Sequence, residues 1–313
     1  MSHALQHTVS TDRYAKCVEI SKRVRWDIER DVIRDREFDP TRKFLPDGLS
    51  KVEELDFLDA NEKRFLSQIQ GRTYANTFGL VERFIAPTMS SASRDHWLGD
   101  QVAYEALVRF TDEELKHQEM FRRLDGMAAE VLPAGYEYKP EPNAVAAAVL
   151  AASPWAVLGL TCHIELFVLA HYHSSIDPQQ ELCPLWKDVF KFHAKEESQH
   201  AILDEMEWLR EDAKLTPEQR DQAVTDLIGL VGAVDGILQV QSEADASYFL
   251  MHAGRAFTSE QAKQIAALLL KAYRWQYIVS GVQDPRFLEV LGSMITPAQG
   301  ERINQALAPI VQS

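Results

Sequence analysis

Cysteine is scarce. Cys17, Cys162 and Cys183 are the only three in 313 residues, they lie far apart, and no Cys-x-x-Cys occurs. That excludes a disulfide framework and a paired-thiolate zinc site, and it makes a reducing, cytoplasmic setting the expectation. Positive charge is also short, with 33 Lys and Arg against 47 Asp and Glu and a net charge of -14. Nucleic acid and anionic membrane both favour basic patches, so neither is an expected partner. The opening MSHALQHTVSTDRYAKC has no basic region leading into an apolar core, so no signal peptide is expected. No run is as apolar and as long as a membrane-spanning helix needs. AVAAAVLAASPWAVLGL, residues 144–160, comes closest, but Ser153-Pro154 divides it into two expected helices. Glycine-rich phosphate loops and a G-x-S-x-G elbow are absent as well.

What is present is helical period almost throughout, with no sustained strand alternation. The pattern predicts helices over 12–35, 60–86 (ending or kinking at Pro87), from Ser90-Ser-Ala-Ser93 to about 130, 143–152, 154–173 and 184–212. Thr216-Pro-Glu-Gln219, Thr258-Ser-Glu-Gln261 and Thr296-Pro-Ala-Gln299 are capping boxes, opening helices over 217–250, 259–275 and 297–309. The fold class expected is all-α: one domain with a bundle core over about 60–212 and added helices at both ends.

Two stretches carry chemistry, Glu114-Leu-Lys-His117 and Glu197-Ser-Gln-His200. Composition alone would supply pairs of this kind, so their number decides nothing; their setting does. Glu82 lies 32 residues before Glu114, and Glu165 lies 32 residues before Glu197. The two halves therefore match: one Glu from each of two helices and a Glu-x-x-His from each of two others. That is the donor pattern of helical bundles that hold two iron or manganese ions. Each Glu sits on an otherwise apolar stripe, with Phe78 and Ile85 around Glu82 and Leu158, Cys162 and Val168 around Glu165. Buried carboxylates are costly unless paired or metal-bound, and four converging on one another require cations. His193 precedes Glu197 by four and His200 by seven, which puts all three on one helix face as a third histidine donor; Phe110 holds the matching place before Glu114. Glu113 and Glu196 are candidates to orient a histidine across the bundle, and Asp204 to orient a histidine or arginine. Cys162 reads as a small packed residue. Tyr74, His163, His171 and His173 have no constellation behind them.

Glu82, Glu114-x-x-His117, Glu165 and His193-x-x-x-Glu197-x-x-His200 resemble the ligand set of the ferritin-like diiron N-oxygenases of the p-aminobenzoate N-oxygenase type. The resemblance covers about 60–212, and the extra histidine narrows it within the wider ferritin-like group. It implies a ferritin-like four-helix bundle and a non-haem diiron enzyme, often homodimeric. Such an enzyme takes up dioxygen as a peroxo species and oxidises an aryl amine through hydroxylamine toward nitro. By position it makes Glu82, Glu114, His117, Glu165, His193, Glu197 and His200 the metal ligands, with Glu114 and Glu197 bridging. Cofactors would be two Fe ions, or Mn or a mixed Mn/Fe pair, with O2 as cosubstrate and an external electron donor, hence a redox partner. Two other readings stay open: another ferritin-like hydroxylase or oxidase, and a metal-binding bundle without turnover.

Overall fold

The computed structural model describes residues 9–312; the first eight residues of the opening stretch read above for a leader lie outside them. Among the described residues the fold is all-helical. Its twelve α-helices are α1 (Thr11–Arg23), α2 (Asp47–Ser50), α3 (Ala60–Ala92), α4 (Gln101–Val131), α5 (Pro142–Leu150), α6 (Pro154–His171), α7 (Pro184–Asp212), α8 (Pro217–His252), α9 (Ser259–Arg274), α10 (Ser280–Val282), α11 (Pro285–Met294) and α12 (Pro297–Val311). A single isolated bridge, Lys43 to Leu182, is the only β-type pairing among the described residues.

Four long helices make the centre. Arg72 reaches Asp125 and Arg83 reaches Gln118, so α3 and α4 run antiparallel. Trp155 bonds Asp212 and Thr161 bonds Asp204, so α6 and α7 do the same. Across the bundle, Tyr74 meets His171 between α3 and α6, and His117 meets Glu196 between α4 and α7. The connection between α4 and α6, which run parallel, carries α5. The three predicted capping boxes are all formed, each Thr hydroxyl accepting from the Gln backbone three residues on.

Three boundaries differ from expectation. The first helix stops at Arg23 instead of running to 35. After an unwound stretch, Asp27 caps a π-helical turn over Ile28–Ile33, and Arg34 and Asp35 take left-handed backbone. The break turns Trp26 inward, where its ring stacks on His117 at 6.0 Å. Secondly, α3 does not end at Pro87 but continues through it to Ala92. The helix forgoes one backbone hydrogen bond there. Thr88 Oγ1 donates to the Phe84 carbonyl at 2.6 Å, and Ile85, Ala86, Thr88 and Met89 are buried, so packing holds the helix past its breaker. Thirdly, Ser90–Ser93 therefore end a helix rather than start one. The next helix is capped by Asp100, whose carboxylate accepts from Val102 and Ala103.

Although the sequence has no unbroken apolar run of that length, two helices are long and apolar enough to cross a membrane by length and composition: 154–176 and 217–252. In the first, 89% of the apolar window is buried inside the protein, so its all-round hydrophobicity is that of a core helix. In α8 only 33% is buried, because it flanks the bundle.

Two histidines are locked neutral in this interior. Burial depresses His163, whose Nε2 donates to the Ile278 carbonyl, to about 4, and burial with the neighbouring His163 depresses His171 to about 3. Their unfolded value is about 6.5. A depressed folded value gives stability that is complete above pH 6.5 and lost as pH falls toward 4 and then 3. The urea midpoint is expected to drop over that window, and His163→Gln, which keeps a donor for Ile278, should flatten the upper part of the slope. An unchanged slope in the variant would remove His163 from the account.

Candidate metal centre

The matched halves of the sequence come together. Glu82 comes from α3, Glu114 and His117 from α4, Glu165 from α6, and His193, Glu197 and His200 from α7; none is more than 2% exposed. Donor atoms of Glu82, His117, His193 and Glu197 all lie within 4.8 Å of one another, and so do those of Glu114, His117, Glu197 and His200. Two adjacent groups of four thus share His117 and Glu197. His193 Nε2 is 2.7 Å from Glu197 Oε1 and 3.5 Å from Glu82 Oε1. His117 Nδ1 is 3.1 Å from Glu197 Oε1, and His200 Nδ1 is 2.7 Å from Glu114 Oε1. Glu165 belongs to neither compact group. It stands beside Glu197 and shares a hydrogen bond with it. Glu114 enters only one group, while Glu197 enters both.

The donor set fits metal on its own chemistry. Eight buried atoms here have no hydrogen-bond partner: Glu82 Oε2, both oxygens of Glu114, His117 Nδ1, Glu165 Oε2, both nitrogens of His193 and Glu197 Oε1. An unsatisfied buried polar atom costs about 1–3 kcal/mol, so such a concentration demands a partner. His200 Nδ1 and Glu114 Oε1 approach to 2.7 Å, yet that oxygen makes no aligned hydrogen bond. Close approach without alignment is what lone pairs do when they aim at a shared cation.

Protons alone divide the cluster unevenly. Burial would lower the basicity of His117 and His200, but the charge of Glu197 and hydrogen bonds to neighbouring carboxylates outweigh it and hold both well above the usual histidine value. Burial would raise Glu197, but His193 and His200 keep it well below the usual carboxylate range. Burial, and then the charge of Glu197, pushes Glu165 well above the usual carboxylate range. Burial lowers His193.

Around these residues lies a second layer. His117 Nε2 donates to Glu196 Oε2 at 2.9 Å, and His200 Nε2 donates to Glu113 Oε2 at 2.9 Å. Each orienting carboxylate sits on the helix opposite its histidine and immediately precedes that helix's own ligand glutamate. The bonds leave both Nδ1 atoms facing the cluster. Glu196 is steadied by Lys116 at 2.5 Å, and Glu113 by Ser21 at 2.7 Å and Gln199 at 2.6 Å. Glu196→Gln is expected to lower metal affinity about 10–100-fold while leaving the helical content unchanged, by calorimetric titration against circular dichroism. Equal affinities would show that the bond to His117 does not tune the ligand.

Some residues had no local signal. Trp26 lies flat on His117, with Lys116 Nζ 3.9 Å from the Trp26 ring centre. The Phe110 ring stacks on His200 at 3.9 Å, filling the place that His193 takes in the other half. Asp204 is fully buried and bonds Thr161 rather than a histidine or arginine; burial holds its carboxyl well above the ordinary value. Cys162 is buried and its thiol is pushed well up by burial, so it is no nucleophile. Tyr74, His163 and His171 are buried, and His173 is exposed.

No protein-family profile matches the chain, and no curated protein matches it.

Proposed function

We propose that this chain is a ferritin-like, non-haem diiron oxygenase that uses O2 to oxidise a small organic substrate, an aryl amine in the reading that the residues favour. The observation that carries the proposal is His193. Its ring joins Glu82, His117 and Glu197 in one buried group of four and adds a third histidine to a set otherwise shared by many metal bundles. Glu82, His117, His193 and Glu197 would hold one metal; Glu114, His117, Glu197 and His200 are the donors of the adjoining group, and Glu165 is at hand beside Glu197. When bound, a reduced iron pair supplies two electrons at once to dioxygen. The electrons that return it to that state come from an external donor.

The chain's own residues do the rest. Glu196 and Glu113 fix the histidine rings, and the protein wall around them excludes water. Substrate access is supported on the α3–α4 side. A groove of about 560 Å³ is lined by Asn76, Arg83, Gln118, Arg122, Tyr138 and Asn143, with Ala75, Gly79 and Phe121 also on its wall. Phe121 presents its ring to His193 at 5.0 Å, so one aromatic side chain separates the groove from the metal donors. Arg83 bonds Gln118 and Asn143, and Arg122 pairs with Glu119, so the groove wall is polar, with Gly79 and Phe121 as its apolar face.

The test is direct. The protein is loaded anaerobically with ferrous iron, metal is counted, O2 is admitted with a panel of arylamines, and products are identified by mass. Two irons per chain and a hydroxylamine, nitroso or nitro product are expected. Iron bound at that stoichiometry with no N-oxidised product from any amine would defeat the amine reading. Anomalous scattering across the iron and manganese edges separates iron from manganese in protein as purified.

A further inference from the structure

We infer that Tyr74 and Tyr273 form a two-step redox relay that carries a single oxidising equivalent away from the metal centre. This inference rests on the diiron reading for its oxidant. The groups involved lie outside the donor set. Tyr74 is fully buried on α3, and its hydroxyl is 2.8 Å from His171 Nδ1. The tautomer of His171 follows from its other side. Its Nε2 is 2.8 Å from Ser280 Oγ, and the Ser280 hydroxyl is already committed to the Gln276 carbonyl. Ser280 Oγ therefore accepts, Nε2 carries the hydrogen, and Nδ1 is left as the acceptor for Tyr74 O–H.

Aromatic rings connect this pair to the centre and to the far side of the bundle. Tyr74 lies 4.7 Å from Phe78, and Phe78 lies 5.5 Å from His193, ring centre to ring centre. In the other direction Tyr277 lies 6.0 Å from Tyr74 and 6.2 Å from Tyr273. Tyr273 donates to the buried carboxylate of Asp245, which also accepts from Thr73 at 2.6 Å and Gln241 at 2.9 Å. Thr73 Oγ1 is in turn 2.8 Å from Tyr136, whose ring lies under the Arg72 guanidinium. Both terminal phenols thus have a proton acceptor built in, which an ordinary packed tyrosine does not need.

The steps balance. In the first, Tyr74 would give one electron to a diiron centre held by the donor set and oxidised by dioxygen with no substrate bound, and its phenolic proton moves to His171 Nδ1. In the second, Tyr273 gives one electron to Tyr74 through the Tyr277 ring. Tyr74 recovers its proton from His171, and the Tyr273 proton passes to Asp245. A one-electron reductant in solution refills Tyr273, and Asp245 then returns the proton to its phenol oxygen. Burial holds His171 near 3 and raises Asp245 to about 7, so the first acceptor is the weaker base. The proton on His171 is held poorly and returns readily, while Asp245 holds its own until Tyr273 is reduced. That gradient drives the equivalent outward.

The experiment has two arms. In the first, ferrous-loaded, substrate-free protein is mixed with O2 and frozen for electron paramagnetic resonance. A tyrosyl signal is expected; Tyr74→Phe should reduce it at least 10-fold, and Tyr273→Phe should keep it and lengthen its life severalfold. Replacing Tyr74 with 3,5-difluorotyrosine should add fluorine hyperfine splitting to the signal. A signal of equal size in Tyr74→Phe, or one without fluorine splitting, overturns the relay. In the second arm the full chain, without added iron, carries a ruthenium photo-oxidant on Glu137→Cys; Glu137 is exposed, whereas the three native cysteines are buried. A flash should place a radical on Tyr273, where the gradient holds it, and in Tyr273→Phe it should appear on the fluorinated Tyr74 instead. Failure to bind iron would sink the diiron reading alone. The absence of a radical at either tyrosine in this second arm would sink the relay alone.

Discussion

Glu197→Ala is expected to abolish metal binding at both positions. The carboxylate is the one acidic group common to both sets of donors, with Oε1 at 2.7 Å from His193 and 3.1 Å from His117, and Oε2 at 2.9 Å from His200. Loss of an outer partner costs metal affinity about 10–100-fold, so loss of this shared ligand should exceed about 100-fold. The protons should rearrange too. Glu197 is the main charge that holds His117 and His200 basic against their burial, so both rings should titrate lower in the variant. Metal content by elemental analysis and histidine titration by NMR check the two halves of the statement. Two metals retained per chain would mean that Glu197 does not ligate. Helical content in the variant should stay near that of the parent, because a small residue here leaves the apolar packing of α7 in place.

Metal loading should also change the stability of the whole chain by a large amount. A ligand that binds only the folded state adds about 2.7 kcal/mol per site at 100 times its dissociation constant. Two sites together shift the thermal midpoint by about 8 °C in a chain of this size. Acid should erase the gain. His117 and His200 hold their protons unusually well, so metal must displace those protons, and its apparent affinity falls as pH is lowered. The metal-free fold responds in the opposite sense to these two groups. Their raised values give stability that is fully present below about pH 6.5 and lost as pH rises through the folded values. The difference between loaded and chelated midpoints should therefore widen from pH 6 to pH 8 by scanning calorimetry. A difference that stays constant with pH would mean that no histidine gives up a proton to the metal.

The donor set could be read in the chain because helix geometry makes it local. Glu and His three apart share a face, and the interval of 32 between Glu82 and Glu114 repeats between Glu165 and Glu197. Capping boxes are equally local, which is why all three formed where expected. What failed was decided by tertiary packing. Pro87 carries a breaker's chemistry, but the buried residues around it let α3 continue past it to Ala92. Val24-Arg-Trp26 reads as more helix until His117, some ninety residues later in the chain, supplies a surface for the Trp26 ring. Glu113 and Glu196 were visible as candidates only. Their partners, His200 and His117, are on another helix, and the pairing depends on how α4 and α7 cross. The Tyr74–His171–Ser280 series had no sequence signal, since its members come from three distant segments.

The crossed bonds between α4 and α7 have one more consequence. Glu113 of α4 sets the ring of His200 on α7, and Glu196 of α7 sets the ring of His117 on α4. Neither half of the chain finishes its own ligands. A cation seated against one imidazole therefore bears on a ring whose other nitrogen is held from the opposite helix, which links the two groups of donors. Two ions taken up here are therefore expected to bind cooperatively, with uptake rising more steeply with concentration than for two independent sites.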